Sequence, residues 1–421
     1  MWKTTCRTVV SWVLKDMFVW DVVHTPQHNR NTEIGMVCSI FQQSSYSWTI
    51  RDALMLVFRV VYACLFTRPS YWVLVLEYGI DAPGDMDILL DIAVPHMALF
   101  TWFDIVHSEQ FSSVDHLLQE KMKLLQCAQE IVFVPVKSDY VHVYLQDVSS
   151  DVLTFAFDEV GIADIWFSWY EVVCSKDIFP TSVYTVTQGV DDAWIVHSNL
   201  FGKEYATYVS LWIEIAMIIE NRLWYSLQKT SDEVYTHNHE QFPGRGTLFR
   251  WICWSILLDA TYNASPKSMQ HIIEKAVQLR TLCYSDYDII YCLGDMHELW
   301  DMTSQAHRWF AARISQSADE VYLVGNAMHT HMYDELIKLW YNEQHIHLMK
   351  NAQDCGVEIK NILPGREHCS LVVMKWSQDW IFMEEALVPL LKNKWDLKNV
   401  CRQSKSWSIK KEKYFAQSAK D

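Results

Sequence analysis

Hydrophobic and polar residues follow two rhythms in the first half of the chain. Short apolar runs, typical of buried strands, occur at 72–76, 97–101 and 131–136. Between the last two runs, residues 113–128 repeat their apolar side chains at close to the helical period. Strand, helix and strand in this order predict βαβ units and a mainly parallel sheet flanked by helices. The β-rich stretch 152–186 predicts an antiparallel addition to that sheet, and a helix is predicted at 204–227.

The alternation resumes after a polar, turn-prone stretch at 229–246, which is typical of a linker. Further strands are predicted at 256–258, 289–293, 321–324 and 370–375. Helices are predicted between and after them, at 267–279, 303–315, 333–340 and 381–391. This order is typical of a Rossmann-like α/β domain. We therefore predict an α/β protein of two domains, residues 1–240 and 241–421, the second of which ends in a solvated basic helix at 392–421. The length of 421 residues favours the same division.

Charge and cysteine usage exclude several classes of function. The formal net charge of -16 repels nucleic-acid phosphate, so no nucleic-acid partner is expected. The 11 cysteines form no C-x-x-C pair and no Cys/His cluster, which argues against a structural zinc site and a disulfide framework. We therefore expect reduced thiols and a cytoplasmic protein.

The most apolar segment, 53–66, predicts a helix packed against the protein. It carries Arg59 in its middle and is shorter than the ~20 residues that a membrane-spanning helix needs. Lys15 and Asp16 interrupt the apolar stretch near the start of the chain, so no signal peptide is predicted.

Three segments of the first half carry candidate chemistry. Lys3 and Thr4, followed by Thr5, look like the end of a phosphate-binding G-K-[ST] loop, although Trp2 stands where glycine belongs. Glu77 follows a predicted strand, at the edge where open α/β sheets bind ligands. His107 lies in the segment 104–111, and Lys121 follows it by fourteen residues. Taken alone, Glu77 is equally compatible with a solvent-exposed strand end. Taken alone, His107 and Lys121 favour a surface histidine and a solvated lysine.

Four segments of the second half also carry candidate chemistry. Arg245 lies between two glycines in 243–246, and arginine suits bidentate phosphate binding. The other three segments contain Asp259 and Asn263, Asp295 and Glu298, and Lys375 and Ser377.

These segments, in this order, resemble the Mur ligases, and within them the branch that adds D-alanyl-D-alanine to a UDP-N-acetylmuramoyl tripeptide. The resemblance covers approximately residues 2–410, with Tyr208 departing from an expected asparagine. It implies a central ATPase domain and a C-terminal Rossmann-like ligase domain. It also implies the site residues: ATP-binding Lys3, Thr4, Thr5, Arg245, Asp259 and Asn263; Mg²⁺-binding Thr4, Glu77 and His107; catalytic Lys3, His107, Lys121 (carbamylated) and Arg245; and substrate-binding Asp295, Glu298, Lys375 and Ser377.

The activity that this resemblance implies is ATP-dependent amide formation through an acyl phosphate, by a monomer whose two domains close on ATP and Mg²⁺. The partners would be the UDP-N-acetylmuramoyl tripeptide and D-Ala-D-Ala. Three alternatives stay open: another Mur or folylpolyglutamate-type ligase, a catalytically dead nucleotide-binding pseudo-ligase, and an α/β protein whose motifs match by chance. The first glycines of the phosphate loop and the family's small N-terminal domain are missing, so we expect the chain as written to be inactive.

Glycine and tryptophan usage is unusual. The chain has 12 glycines and 20 tryptophans. Tryptophan stands where the family pattern has glycine at Trp2, Trp300 and Trp376. It also stands at turn-like or helix-end positions that suit glycine, at Trp212, Trp224, Trp251, Trp254, Trp340 and Trp395. Because the two residues differ so much in size and backbone freedom, we hypothesise that UGA codons read as glycine are written here as tryptophan.

Overall fold

The computed structural model describes residues 2–18, 23–26, 30–43, 50–101, 103, 110–136, 139–157, 162–175, 179–188, 192–223, 234–237, 242–250, 254–297, 299, 302–376, 382–391 and 394–418. The chain divides into two compact units. The N-terminal unit comprises Trp2–Val173 and Thr181–His239, and the C-terminal unit comprises Cys174–Pro180 and Glu240–Asp421. Parallel sheets flanked by helices occur in both, which confirms the predicted α/β class.

The N-terminal unit begins with short parallel pairings. Its first elements are α1 (Trp2–Met17), β1 (Val23–His24), α2 (Glu33–Ile40), α3 (Ile50–Phe66), β2 (Val73–Leu74), α4 (Asp85–Ile92), β3 (Met97–Leu99), α5 (Val114–Gln126), β4 (Ile131–Pro135), α6 (Asp139–His142) and β5 (Asp151–Phe155). β1 pairs with β2, and β3, β4 and β5 form a parallel sheet in that order. The predicted helix at 113–128 is α5, which starts where the Ser113 side chain accepts a hydrogen bond from the backbone N–H of His116.

The N-terminal unit continues with a second sheet. Its elements are β6 (Phe167–Val173), β7 (Thr181–Gln188), β8 (Asp192–Ser198), α7 (Lys203–Leu223) and β9 (Val234–His237). The antiparallel pairings of β6, β7 and β8 confirm part of the predicted addition, whereas β5 pairs parallel to β4. β9 lies parallel beside β8 inside the stretch predicted as a linker. The linker prediction is therefore wrong there, because alternating Val234 and Thr236 suit a sheet edge.

Helix α3 differs from its prediction as a packed helix. None of its side chains is buried, and Leu54, Phe58 and Leu65 are each about two-thirds exposed. Spacing at four and seven residues places these three on one helical face, and that face is exposed. No helix among the described residues is long and apolar enough to cross a membrane.

The C-terminal unit is built on one six-stranded sheet. Its elements are β10 (Thr247–Arg250), β11 (Ile256–Ala260), α8 (Pro266–Cys283), β12 (Asp288–Gly294), α9 (Thr303–Ile314), β13 (Glu320–Val324), α10 (Tyr333–Lys338), β14 (Ile346–Met349), α11 (Ala352–Ile362), β15 (Ser370–Lys375) and α12 (Lys405–Ser418). The strand order is β10-β11-β15-β12-β13-β14, and every pairing except β10 with β11 is parallel. All six residues of β15 are buried, as expected for a central strand covered on both faces.

Three predictions for this unit need correction. The helix predicted at 381–391 is replaced by 3₁₀ turns at Met383–Ala386 and Val388–Leu390, since Phe382 has a left-handed backbone and Pro389 has no N–H to donate. The tail is not simply solvated, because Arg402 and Lys411 both pair with buried Glu384 at 3.1 Å. The sequence periodicity did not predict β10, β14 or α11.

The expectation that all cysteines are reduced is also wrong for one pair. Cys174 and Cys283 form a disulfide within the C-terminal unit, with their Cα atoms 5.3 Å apart. The pair is separated by 109 residues in sequence, so no local spacing pattern indicates it.

A charged network joins the amino ends of the parallel strands, at the edge opposite the candidate site. Arg366 donates hydrogen bonds to Asp288 at the start of β12, at 2.7 Å, and to Glu320 at the start of β13. His347 of β14 lies 3.1 Å from the same Glu320 carboxylate. Hydrogen bonds from His347 and then Arg366 lower the pKa of Glu320 to about 2, against partial burial.

This network predicts acid sensitivity. A carboxyl whose pKa is lower in the folded state stabilises the protein above its unfolded pKa near 4.5 and loses that contribution as the pH falls to about 2. We expect Glu320→Gln to remove up to about 3 kcal/mol of this pH-dependent stability, at about 1.4 kcal/mol per pKa unit. Urea denaturation at several pH values measures the effect. The exposed Glu367→Gln is the control, and equal acid sensitivity in the wild type and Glu320→Gln would contradict the assignment.

Candidate functional site

A buried carboxylate meets a hydroxyl at the start of the N-terminal unit. Thr4, in the first turn of α1, donates from Oγ1 to Glu77 Oε1 at 3.2 Å. Arg7 lies one turn further along α1, with its Nε 3.5 Å from Glu77 Oε2. The side chains of Arg7 and Glu77 are each only 6% exposed, so the three groups form a largely solvent-excluded cluster.

The loop after β2 holds Glu77 in this position. The backbone N–H of Gly79 donates to the carbonyl of Asn31 at 2.9 Å, and a Cβ at Gly79 would lie 2.5 Å from the Asn31 side chain. In the same loop, the Asp85 carboxylate accepts hydrogen bonds from the backbone N–H groups of Asp81 and Ala82 at 2.8 and 2.7 Å. The lack of a Cβ at Gly79 therefore leaves room for the Asn31 side chain beside the loop. The segment around Asn31 and the loop of Glu77 therefore lie side by side.

The Thr4–Glu77 pair has the chemistry of a partial magnesium site. Glu77 Oε2 is buried and accepts no hydrogen bond from the described residues. Mg²⁺ prefers hard oxygen ligands and usually keeps waters or substrate phosphates in its shell, so one hydroxyl and one carboxylate suit it. No group of three or more His, Cys, Asp or Glu side chains that could hold a metal occurs among the residues described. The pair therefore fits a metal that arrives with phosphate.

Arg7 is a member of this cluster that the sequence interpretation missed. Its Nη1 donates to the carbonyl of Pro26 at 2.7 Å, while its Nε faces Glu77. The spacing of three residues from Thr4 places both on one face of α1, and this was the available signal.

Four other site residues were predicted in the N-terminal unit: Lys3, Thr5, His107 and Lys121. Thr5 is buried. Lys121 is half-buried on α5, with its Nζ 5.0 Å above the Phe103 ring. The side chain of Lys3 and the whole of His107 lie outside the described residues.

Next to Lys121, Glu120 has a structural role that the sequence did not indicate. Its Oε1 accepts from the backbone N–H groups of Gly84 and Met86 at 2.9 and 3.0 Å, and its Oε2 lies 2.8 Å from Lys123 Nζ. A carboxylate at a helix start satisfies N–H groups that have no partner in the helix. Glu120 therefore fixes α4 against α5 and so limits where Lys121 can lie.

In the C-terminal unit, the predicted residues gather at the carboxyl ends of adjacent strands. Asp259 is the penultimate residue of β11, Lys375 ends β15, and Asp295 follows β12. In the register of the sheet, Lys375 lies between Ala260 and Leu293. Ligands of open α/β sheets bind at this edge. The structure thus brings three of the predicted side chains together there.

Asp259 organises the loops on one side of this edge. Its Oδ1 accepts from the backbone N–H and the hydroxyl of Thr261 at 3.0 and 2.7 Å, and its Oδ2 accepts from the backbone N–H of Gly244 at 3.1 Å. Burial raises the pKa of Asp259 to about 6, although the Thr261 hydrogen bonds oppose the shift. Both oxygens are engaged, so Asp259 holds the loops that carry Arg245 and Asn263.

Arg245 is presented between two left-handed glycines, Gly244 at φ 70° and Gly246 at φ 91°. Its guanidinium lies 4.0 Å from the centre of the Tyr262 ring, and Tyr262 donates its backbone N–H to the Gly244 carbonyl at 3.0 Å. Stacking of this kind fixes the plane of the guanidinium.

Arg402, from the tail, also contacts Tyr262 and its loop. Its guanidinium carbon is 5.3 Å from the ring centre, and its Nη atoms donate to the carbonyls of Thr261, at 3.2 Å, and Tyr262. No sequence pattern indicated this residue, because it lies about 140 positions from the loop that it holds.

Lys375 and Asp295 are the other two predicted side chains at this edge of the sheet. Lys375 is fully buried and donates from Nζ to the carbonyls of Ala260, at 3.3 Å, and Asn263. Asp295 is also buried, and its Oδ1 accepts from the backbone N–H of Met328 at 2.8 Å. Glu298 and Ser377 lie outside the described residues.

Comparison with known proteins relates both the sequence and the fold to enzymes of known type. The model of the Mur ligase middle domain matches residues 3–207. The chain is similar to the solved structure of MurF from Acinetobacter baumannii, with a TM-score of 0.67 and 16% identity over 93% of this chain and 74% of that one. It is similar to MurF ligase from Thermotoga maritima in complex with ADP, with a TM-score of 0.58 and 15% identity over 91% and 82% of the two chains.

A further likeness is to folylpolyglutamate synthase from Thermotoga maritima, with a TM-score of 0.50 and 9% identity over 88% of this chain and 83% of that one. No curated protein matches the sequence. At these identities the solved structures establish the fold, whereas the domain model is matched by the sequence itself. Residues 3–207 therefore form a Mur ligase middle domain, and the chain shares the fold of the MurF structures.

Proposed function

We propose that this protein is an ATP-dependent ligase that joins D-alanyl-D-alanine to a UDP-N-acetylmuramoyl tripeptide in peptidoglycan synthesis. The observation that carries the proposal is the hydrogen bond between half-buried Thr4 and buried Glu77 inside a Mur ligase middle domain. A hydroxyl in the first turn of a helix beside a carboxylate after a strand is the oxygen pair that a magnesium-bound triphosphate uses. The likeness in fold to MurF structures, one of them in complex with ADP, supports the same nucleotide chemistry.

In this proposal the N-terminal unit binds the triphosphate. Lys3, Thr4 and Thr5 hold its phosphates, while Thr4, Glu77 and His107 hold Mg²⁺. Bound Mg²⁺ would neutralise charge on the β- and γ-phosphates. Lys121, as a carbamate, would add a negative group near the metal. The protein would act as a cytoplasmic monomer.

The reaction has two steps. A carboxylate oxygen of the tripeptide attacks the γ-phosphorus, and the bond from that phosphorus to the β-bridging oxygen breaks, which gives an acyl phosphate and ADP. The free amine of D-Ala-D-Ala then attacks the acyl carbon to form a tetrahedral intermediate. Collapse of this intermediate expels inorganic phosphate and leaves the amide, while the amine loses its proton to solvent. Catalysis consists mainly of orienting the reactants and neutralising charge, which Lys3 and Arg245 supply.

The loops of the C-terminal unit support the part proposed for Arg245. Its stacking on Tyr262 and its position between two glycines present a rigid bidentate donor, which suits the γ-phosphate. Asp259 and Asn263 belong to the same loops and would contribute to nucleotide binding there. Asp295, Glu298, Lys375 and Ser377 are proposed to bind the acceptor side of the reaction.

Two other functions have support of their own. A folylpolyglutamate-type ligase would use the same ATP chemistry, and one such structure shares the fold. A nucleotide-binding pseudo-ligase is favoured by Arg7, whose guanidinium lies 3.5 Å from the carboxylate that Mg²⁺ would need.

Phosphate release separates these functions. We expect the protein expressed from its complete gene to release phosphate from ATP only when UDP-N-acetylmuramoyl tripeptide and D-Ala-D-Ala are both present. Release with glutamate and a reduced folate would instead indicate the folylpolyglutamate-type activity. Nucleotide binding without phosphate release under either condition would indicate the pseudo-ligase.

Glu77→Gln tests the metal site. The amide keeps the size of the side chain but removes the charge that Mg²⁺ requires, so kcat should fall by about a hundredfold or more, the scale seen when one group that stabilises charge in the transition state is lost. The matched control is Glu33→Gln, an exposed glutamate at the start of α2. Steady-state phosphate release at saturating Mg²⁺ measures both variants, and equal rates would refute a catalytic role for Glu77.

Lys375 predicts a pH dependence of stability that is independent of activity. Burial, and then the nearby charge of Arg245, lower its pKa from 10.5 to about 7. Between these two pH values the unfolded chain binds more protons than the folded one, so stability rises with pH. We expect Lys375→Met to lose up to about 1.4 kcal/mol per pH unit of this slope. Chemical denaturation across the window measures it, with exposed Lys360→Met as the control; an unchanged slope would contradict the assignment.

A further inference from the structure

Three tryptophans have a left-handed backbone, a conformation that suits glycine. Among the described residues, six that are not glycine have a positive φ, and three of the six are Trp169 at 54°, Trp254 at 60° and Trp340 at 61°. For a bulky residue a positive φ is an outlier, because the Cβ approaches a carbonyl oxygen. Glycine has no Cβ and adopts this conformation freely.

The surroundings of these tryptophans do not offset that cost. Their exposed fractions are 88% for Trp169, 69% for Trp254 and 94% for Trp340, so their rings lie largely in solvent. Phe382 also has a positive φ, but it is 6% exposed and packs against Tyr414. A buried aromatic can repay local strain by burying its ring, whereas an exposed one does not.

Trp340 lies at the exact position in a helix end where glycine is preferred. Its backbone N–H donates to the carbonyl of Ile337, and the N–H of Tyr341 donates to the carbonyl of Leu336, both at 3.1 Å. With Leu339 as the last half-helical residue of α10, these two bonds form a Schellman motif. The residue at Trp340 is the one that the motif requires to be left-handed, and it is usually glycine.

Trp169 and Trp254 lie at two further glycine positions. The register between β6 and β7 shifts between Ser168 and Glu171, so Trp169 belongs to a β-bulge. One common bulge type has a left-handed glycine as its first residue. Trp254 lies in the connection between antiparallel β10 and β11, where a left-handed glycine is typical of longer hairpin loops.

We propose that residues 169, 254 and 340 are glycine in the natural protein, because the cell reads UGA as glycine and this codon is written here as tryptophan. The standard tryptophan codon, UGG, differs from UGA only in its third base. The proposal rests on backbone geometry, and it holds whether or not the ligase activity does. It extends the compositional hypothesis to Trp169, which no motif indicated.

Buried tryptophans form a separate class under this proposal. Trp194, in β8, is 8% exposed and has no left-handed backbone, so UGG is expected at its codon. Trp376 is fully buried in the core of the C-terminal unit, with its ring against Gly294, and backbone geometry gives no sign of glycine there. The structure therefore distinguishes positions that composition alone treats alike.

The gene and the native protein give the decisive test. We expect UGA at codons 169, 254 and 340 and UGG at codon 194. Peptides of the protein purified from its own cells should each show the mass of glycine at the three positions. A UGG codon or an intact tryptophan at these positions would overturn the proposal.

Stability measurements on the chain as written test the same idea without the native cell. Trp340→Gly should raise the equilibrium constant for folding about tenfold, which corresponds to ~1.4 kcal/mol, the usual cost of a left-handed residue with a side chain. Trp340→Ala removes the ring but keeps the Cβ, so it should gain much less. Trp309→Gly, on helix α9, should be destabilised. Equal effects of glycine and alanine at 340 would refute the backbone argument.

Discussion

The carboxylate of Asp259 is the interaction on which the carboxyl edge of the C-terminal sheet depends. It is fully buried and accepts hydrogen bonds from Thr261 on one oxygen and Gly244 on the other. A buried carboxylate is stable only when such donors replace water. Because the donors come from two separate loops, satisfying one side chain sets the positions of both. Arg245 and Tyr262 then stack where those loops meet, and Lys375 reaches the carbonyls beside them.

The N-terminal unit also buries a carboxylate, but next to a much shorter strand pairing. Glu77 is buried after a strand pairing of only two residues, and its partners are Thr4 and Arg7 of α1. Arg7 neutralises the carboxylate that a metal would otherwise neutralise.

Backbone conformation adds a constraint that side-chain chemistry does not reveal. Helix ends, bulges and hairpins need left-handed residues whatever the protein does. This chain has 12 glycines among 421 residues, and three exposed tryptophans occupy such positions. The fold is therefore one that a glycine-richer sequence would adopt with less strain. Where Gly79 and Gly244 remain, they allow the close approaches that hold the candidate site.

The α/β class, most strands of the C-terminal sheet and helices such as α5 could be predicted from the sequence, because their signals are local: short apolar runs and helical periodicity. Asp259, Lys375 and Asp295 were indicated by the family resemblance, and the fold brings them to one edge because the ends of parallel strands share it. The exposed apolar face of α3, the pairing of Cys174 with Cys283 and the places of Arg7 and Arg402 in the two clusters emerged from the packing of the folded chain. These features depend on which distant segments pack together, and no local pattern encodes a contact between residues far apart in the chain.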